Sequence, residues 1–300
     1  MVPRTIHFVV PAPPEYLSLY KNVINGIVNP IRNYLPDSTV SENPESEAVN
    51  VHFFNEPSYR TNKMSGCEGV HVFMSHGMGD KQWRDGPQVD YFDFIFVSGP
   101  RWMEKLTRQG IPAKRIRVAG FPKLDPLFQG NIHKTNYDKK VILYAPTHSG
   151  SAPCTSYPAF LTYLNQFPSC WELLCCAHPY HRAENRPVLQ ELADADAVIS
   201  DGSSVIYEAM ALGLPVLFPD WLVRDAILKT WPRSFTAEIY REQIGYHAES
   251  IDQLILLASK SLDQTPSEKE QAFINGIFPP ELRGKSGETT ARALREFAEQ

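Results

Sequence analysis

Along the first 120 residues the apolar positions gather into short β-rich runs separated by helix-length or irregular stretches. TIHFVV (5 to 10), VNVHFF (49 to 54), GVHVFMS (69 to 75), FDFIFVS (92 to 98) and IRVAG (116 to 120) read as strands. Helices are predicted near 15 to 34 and 100 to 109. Connections of this length suit a parallel sheet rather than hairpins. The pattern then fails in the polar stretch QGNIHKTNYDKK (128 to 139), which marks a crossing between domains. It restarts with VILYAPT (141 to 147), WELLCCAHP (171 to 179), ADAVIS (195 to 200) and PVLFP (215 to 219), with helices predicted near 157 to 166 and 203 to 212. Two further helices, near 250 to 262 and 286 to 299, flank the Pro-rich FINGIFPPELRGKSG.

The expected fold is therefore α/β, with two Rossmann-like lobes of parallel sheet and a cleft between them. The boundaries expected are 1–130 for the first lobe, 140–285 for the second and 286–300 for a terminal helix. A chain of 300 residues with 43% hydrophobic content supports two cores of ordinary size. The net charge of -5 supplies no overall basic field, so nucleic acid is not an expected partner and a small anionic or sugar ligand fits better. The five-residue apolar run near the amino terminus is too short for a signal-peptide core or a membrane span. Five cysteines without paired spacing suit a reducing compartment, so a cytoplasmic location is expected.

In open parallel sheets ligands bind beyond the carboxyl ends of strands, which directs attention to the residues following each run. Ser200, Asp201, Gly202, Ser203 and Ser204 follow one strand and open a helix, a place where backbone amides and hydroxyls meet an anion. The plainer reading is a serine that only caps the helix. Glu208, one turn on, reads either as a ligand for ribose or sugar hydroxyls or as a solvated helix residue. Thr147 and Ser149 end another strand on the same rim. His76, before Gly77 in MSHGMGDK, suits a general base acting near neutral pH, or else a histidine bound to a loop carbonyl. His178 ends WELLCCA and offers a donor to a phosphate oxygen; the HxxH and CC beside it do not make a metal site, because Pro179 breaks the helical alignment. Lys81 either meets phosphate charge or is solvated, while Lys123, after the last strand of the first lobe, offers an acceptor or phosphate contact or belongs to a turn that Asp125 stabilises.

Taken in order, SHGMGDK, GFPKLD, ILYAPTHS, AHPYH and SDGSSVIYEAMALGLPVLF resemble the motif series of the CDP-glycerol glycerophosphotransferases, the teichoic-acid primases and polymerases. The resemblance covers about residues 70 to 220. It implies a GT-B fold with an acceptor-binding first lobe and a donor-binding second lobe, no metal and no cofactor. It also implies one catalytic histidine from each lobe, His76 and His178, with Ser203 and Ser204 on the donor diphosphate. The partners implied are a CDP-glycerol-like donor and a glycan or lipid-linked acceptor, met in the cytoplasm or in peripheral contact with the membrane. Gly202 stands where that family usually has an aromatic residue and Glu208 where it often has Asp, while EAMALGLPVLF is closer to sugar-nucleotide enzymes of the same fold. A sugar transferase, a UDP-sugar 2-epimerase and a non-catalytic GT-B module therefore remain open alternatives.

Overall fold

The computed structural model describes residues 4–10, 17–53, 66–81, 89–176 and 187–300, with the backbone alone for 17–21. The chain forms two compact units, one of 1–78, 85–129 and 276–300, the other of 79–84 and 130–275.

The first unit is built on a wholly parallel six-stranded sheet in the order β2-β1-β3-β4-β5-β6. Its strands are β1 (Ile6–Val9), β2 (Thr39–Ser41), β3 (Ala48–His52), β4 (Gly69–Met74), β5 (Phe94–Val97) and β6 (Ile116–Val118). All five residues of β3 are buried, as expected of a strand covered on both faces, and this is why such strands appear in sequence as near-continuous apolar runs. The three residues of edge strand β2 are all exposed, so the sequence carries no apolar signal for it.

Helix α1 (Leu17–Arg32) follows β1, and α2 (Pro100–Arg108) follows β5 with Pro at its start, where a missing N–H costs nothing. The short α3 (Asp125–Phe128) begins at the last residue of the GFPKLD motif. Its Asp125 is buried and accepts from the amides of Ser286 (3.2 Å) and Gly287 (2.6 Å), so this motif holds down the start of the last helix of the chain. Gly120 is required here twice over: its φ is +82, and a Cβ would lie 2.2 Å from Ser286 Oγ.

The second unit has a parallel five-stranded sheet in the order β11-β10-β9-β7-β8. Its strands are β7 (Lys140–Tyr144), β8 (Trp171–Cys175), β9 (Ala197–Ile199), β10 (Val216–Pro219) and β11 (Tyr246–Ala248). Among them run α4 (Val188–Asp194), α5 (Val205–Ala211), α6 (Asp220–Thr230) and α7 (Phe235–Glu242). After them come α8 (Ile251–Ser261), α9 (Glu268–Ile277) and α10 (Ser286–Ala298), the last of which belongs to the first unit. One side of the second sheet packs Ile142, Tyr144, Ile199 and Leu217 against Leu254 and Ala258 of α8, with Phe160 stacked on Tyr144 at 4.5 Å. Ser234 and Ser250 cap α7 and α8 through the amides of Ala237 and Gln253.

Two expectations need correcting. The stretch from 276 returns to the first unit, so the second does not extend to 285. FINGI, expected between helices, closes α9, and the stop comes only at the prolines that follow.

Candidate functional site

A parallel sheet whose chain leaves a central strand first to one side and later to the other opens a crevice at the carboxyl ends of the two strands flanking the reversal. In the second unit the chain passes from β7 to β8 on one side and then to β9 on the other, so the reversal lies between β7 and β9. Thr147 follows β7 and Ser200–Ser204 follow β9. Both segments picked out by sequence therefore meet at this point.

Asp201 organises the place. It is fully buried, and one carboxylate oxygen accepts from the Thr147 amide at 2.8 Å and from its neighbour Gly202. The other accepts from the Ser156 amide and hydroxyl, both at 2.7 Å. Tyr240 donates to the Asp201 carbonyl at 3.3 Å, and Tyr144 shares a hydrogen bond of 3.0 Å with Ser156. A buried carboxylate needs several donors to offset its desolvation, and here they come from two different turns. Ser200 is likewise turned inward, donating to the Ala145 carbonyl at 2.6 Å.

Gly202 lies beneath the Trp231 indole, where a Cβ would sit 2.7 Å from the ring. Its glycine identity follows from that close approach; its amide is taken by Asp201. Ser203 Oγ accepts from the Val205 amide at 3.4 Å, and Ser204 makes no side-chain cap. Both serines are half-buried, and their amides donate to nothing among the described residues. Glu208 is fully buried on α5, which rules out the solvated-helix reading.

Lys81 belongs to this unit as well. Half-buried, it donates from its ammonium to the Thr147 hydroxyl and lies 5.8 Å from the Trp231 ring centroid. Burial pushes its pKa down to about 8, against the opposing pull of Asp201 and Cys154. The segment carrying Lys81 is fixed locally. The Asp80 carboxylate accepts from the Phe235 amide at 2.7 Å, and a Cβ on Gly79 would lie 3.8 Å from Ser204. Ser149 is exposed in the turn beyond Thr147.

The other sequence candidates lie elsewhere. His76 and Gly77 follow β4 in the first unit, where Ser75 Oγ donates to the Gly77 carbonyl at 2.8 Å and His76 Nδ1 lies 3.1 Å from the Phe53 carbonyl at the end of β3. Lys123, also in the first unit, lays its stem near Gly26 of α1. His178 falls outside the described residues. Among the described residues no three metal-ligating side chains come together. The sequence reading missed Trp231, Ser156 and Tyr240. They are separated from the residues they serve by up to 45 positions and carry no local pattern of their own.

The paired parallel units, each with its polar turns at the carboxyl edge, define the chain as an α/β protein of GT-B fold. Wall teichoic acid polymerase TagF has a similar structure: TM-score 0.64, 15% identity, 98% of this chain and 89% of that one. A histidine-to-asparagine variant of TagF soaked with CDPG matches at TM-score 0.55 and 14% identity, over 98% of this chain and 88% of that one. A Listeria monocytogenes protein assigned as a UDP-N-acetylglucosamine 2-epimerase matches at TM-score 0.53 and 12% identity, over 99% and 97% of the two chains. The sequence matches no protein-family model and no curated protein.

Proposed function

We propose that this chain transfers an alditol phosphate, such as glycerol phosphate, from a CDP-activated donor to a hydroxyl of a glycan or lipid-linked acceptor in the making of a bacterial envelope polymer. The observation that carries the reading is the gathering of a lysine ammonium, the Thr147 hydroxyl and the two uncommitted serine amides at the strand reversal of the second unit. A diphosphate needs such a set of cation and donors. The fold likeness to TagF, one of whose structures was soaked with CDPG, supports the choice of donor.

In this reading His76 removes the proton from the acceptor hydroxyl, which attacks the distal phosphorus as CMP departs. Its Nδ1 lies beside a carbonyl; a proton on Nδ1 directed there leaves the Nε2 lone pair as the base. His178 and the Ser203 and Ser204 donors stabilise charge on the diphosphate, with Thr147, Ser149 and Glu208 completing the donor subsite.

The test follows phosphorus by NMR with CDP-glycerol and a phosphoglycan acceptor. A new phosphodiester should form as CMP is released, and His76→Ala should slow it about 10²- to 10⁴-fold with an unchanged thermal midpoint. Release of CMP at the wild-type rate by His76→Ala would remove the histidine from this role. A second reading, a UDP-sugar 2-epimerase, is favoured by the likeness to the Listeria monocytogenes protein. It requires turnover of a UDP-sugar with no acceptor present.

A further inference from the structure

We propose that Trp102 is the positioning residue of His76, holding by one hydrogen bond the turn that carries the imidazole. The proposal rests on the reading of His76 as the general base, and it names the group that keeps that base aimed.

The turn after β4 has little hold of its own. Among the described residues neither Gly77 nor Met78 takes part in a backbone-to-backbone hydrogen bond. Side chains fix the segment instead. Ser75 Oγ donates to the Gly77 carbonyl at 2.8 Å and accepts from the Gly77 amide at 3.3 Å, which closes the turn around His76 from within. The outer tie is Trp102, whose Nε1–H donates to the Met78 carbonyl at 3.2 Å. Both residues are buried, so bulk water does not stand in for that donor.

The indole is itself held from a fixed point. Trp102 lies in the first turn of α2, and the entry to α2 is pinned to Ile277, where the chain has returned to the first unit. The buried Ser98 hydroxyl donates to the Ile277 carbonyl at 2.8 Å. Gly99 lets the same carbonyl approach so closely that a Cβ would stand 2.3 Å from its oxygen. Because β4 and β5 are neighbours in the sheet, the indole has only to span adjacent strand ends.

The tie to Met78 matters because of what His76 must present. Its Nδ1 lies 3.1 Å from the Phe53 carbonyl, and that bond is made only while Nδ1 carries the proton. The carbonyl sits at the end of β3 and is fixed by the sheet, whereas the imidazole goes where the turn goes. If the turn drifts, the bond is lost, the proton is free to settle on Nε2, and the lone pair that takes the proton of the acceptor hydroxyl disappears. Trp102 thereby governs the tautomer of His76 without touching the reacting atoms. A tryptophan that only filled the core would have no such effect.

Ring-nitrogen NMR of the full chain with isotope-labelled histidine tests this without substrate, the His76 signals being those missing from His76→Ala. In the neutral ring of wild type the proton should sit on Nδ1. Trp102→Phe keeps an aromatic ring but loses the donor, and should show a mixture with the Nε2–H form that prevails in unconstrained histidine. In the phosphorus assay it should lower kcat at least about tenfold with KM changed by less than about twofold, since aim rather than binding is lost. A wild-type ring protonated on Nε2, or a tautomer ratio unchanged in a folded Trp102→Phe, overturns the proposal, as does an undiminished kcat where wild type turns over CDP-glycerol. Should Trp102→Phe fail to fold, benzothienylalanine at position 102, which keeps the indole shape with sulfur in place of N–H, decides by the same signature. A shifted tautomer in a chain that turns over no CDP-glycerol retires the general-base reading and keeps Trp102 as the group that sets the ring. Turnover by wild type with an unmoved tautomer keeps the reading and removes Trp102 from it.

Discussion

A methyl group at position 202 would lie 2.7 Å from the Trp231 ring, closer than two carbons can approach. Gly202→Ala should therefore cost about 1–3 kcal/mol, the usual range for overpacking a filled interior. Denaturant unfolding of a double-mutant cycle checks it: in a Trp231→Leu background the same change should cost well under about 1 kcal/mol. An equal cost in both backgrounds would mean that backbone conformation, not the indole, requires glycine here. The sequence pointed to Gly202 for the wrong physical reason. A turn glycine is visible in SDGSS, but the ring above it comes from the far end of α6, and no local pattern announces that contact. Asp201 shows the same limit. Its place at a strand end was legible, whereas the Ser156 and Thr147 donors that consume its carboxylate become visible only when two turns are side by side.

The strands were legible because most are buried on both faces and so stand out as apolar runs. Those runs concealed polar passengers. His7 of β1, His52 of β3 and His71 of β4 are all buried within the first sheet. His71 Nε2 lies 3.2 Å from the Cys67 carbonyl, and donation there leaves its Nδ1 to accept from His52 Nε2 at 3.0 Å. Burial, with smaller effects from His71 and His7, pushes the His52 pKa from 6.5 down to about 3. A group whose folded pKa is depressed in this way, and whose charged form is the acid, leaves stability intact above its ordinary value. As pH falls from 6.5 towards 3 the unfolded chain takes up a proton that the folded chain refuses, at a cost of about 1.4 kcal/mol per pH unit. Chemical denaturation at pH 7 and pH 5 should show His52→Gln, which still donates to His71 but binds no proton, losing less stability than wild type over that interval. Equal losses would place the acid sensitivity elsewhere. Elements without a clean apolar period fared worse. Residues 220 to 249 carry no predicted element, yet α6, α7 and β11 lie there; DWLVRDAILKT interleaves both charge signs with its apolar positions and masks the helical face.

At the scale of the whole molecule, the division into two α/β units follows from one polar interruption near residue 130 and from the restart of the strand pattern beyond it. What sequence pattern could not supply is the return of the chain after 275 to the first unit, because a terminal helix packs wherever its apolar face finds cover. Here Gly287 lets α10 approach the Pro30 carbonyl of α1, where a Cβ would stand 2.6 Å from the oxygen. No helix among the described residues is long and apolar enough to cross a membrane. The fold is shared with both a teichoic acid polymerase and an epimerase-type protein, so it does not choose between their donors. A ligand that binds only the native state raises the unfolding midpoint, and this turns donor choice into a direct reading. The account predicts that, in a thermal-shift comparison of CDP-glycerol, CDP-ribitol and CMP-, UDP- and GDP-sugars, a CDP-alditol raises the midpoint most and does so less in Lys81→Met. A midpoint raised by UDP-N-acetylglucosamine and left unmoved by either CDP-alditol would contradict it.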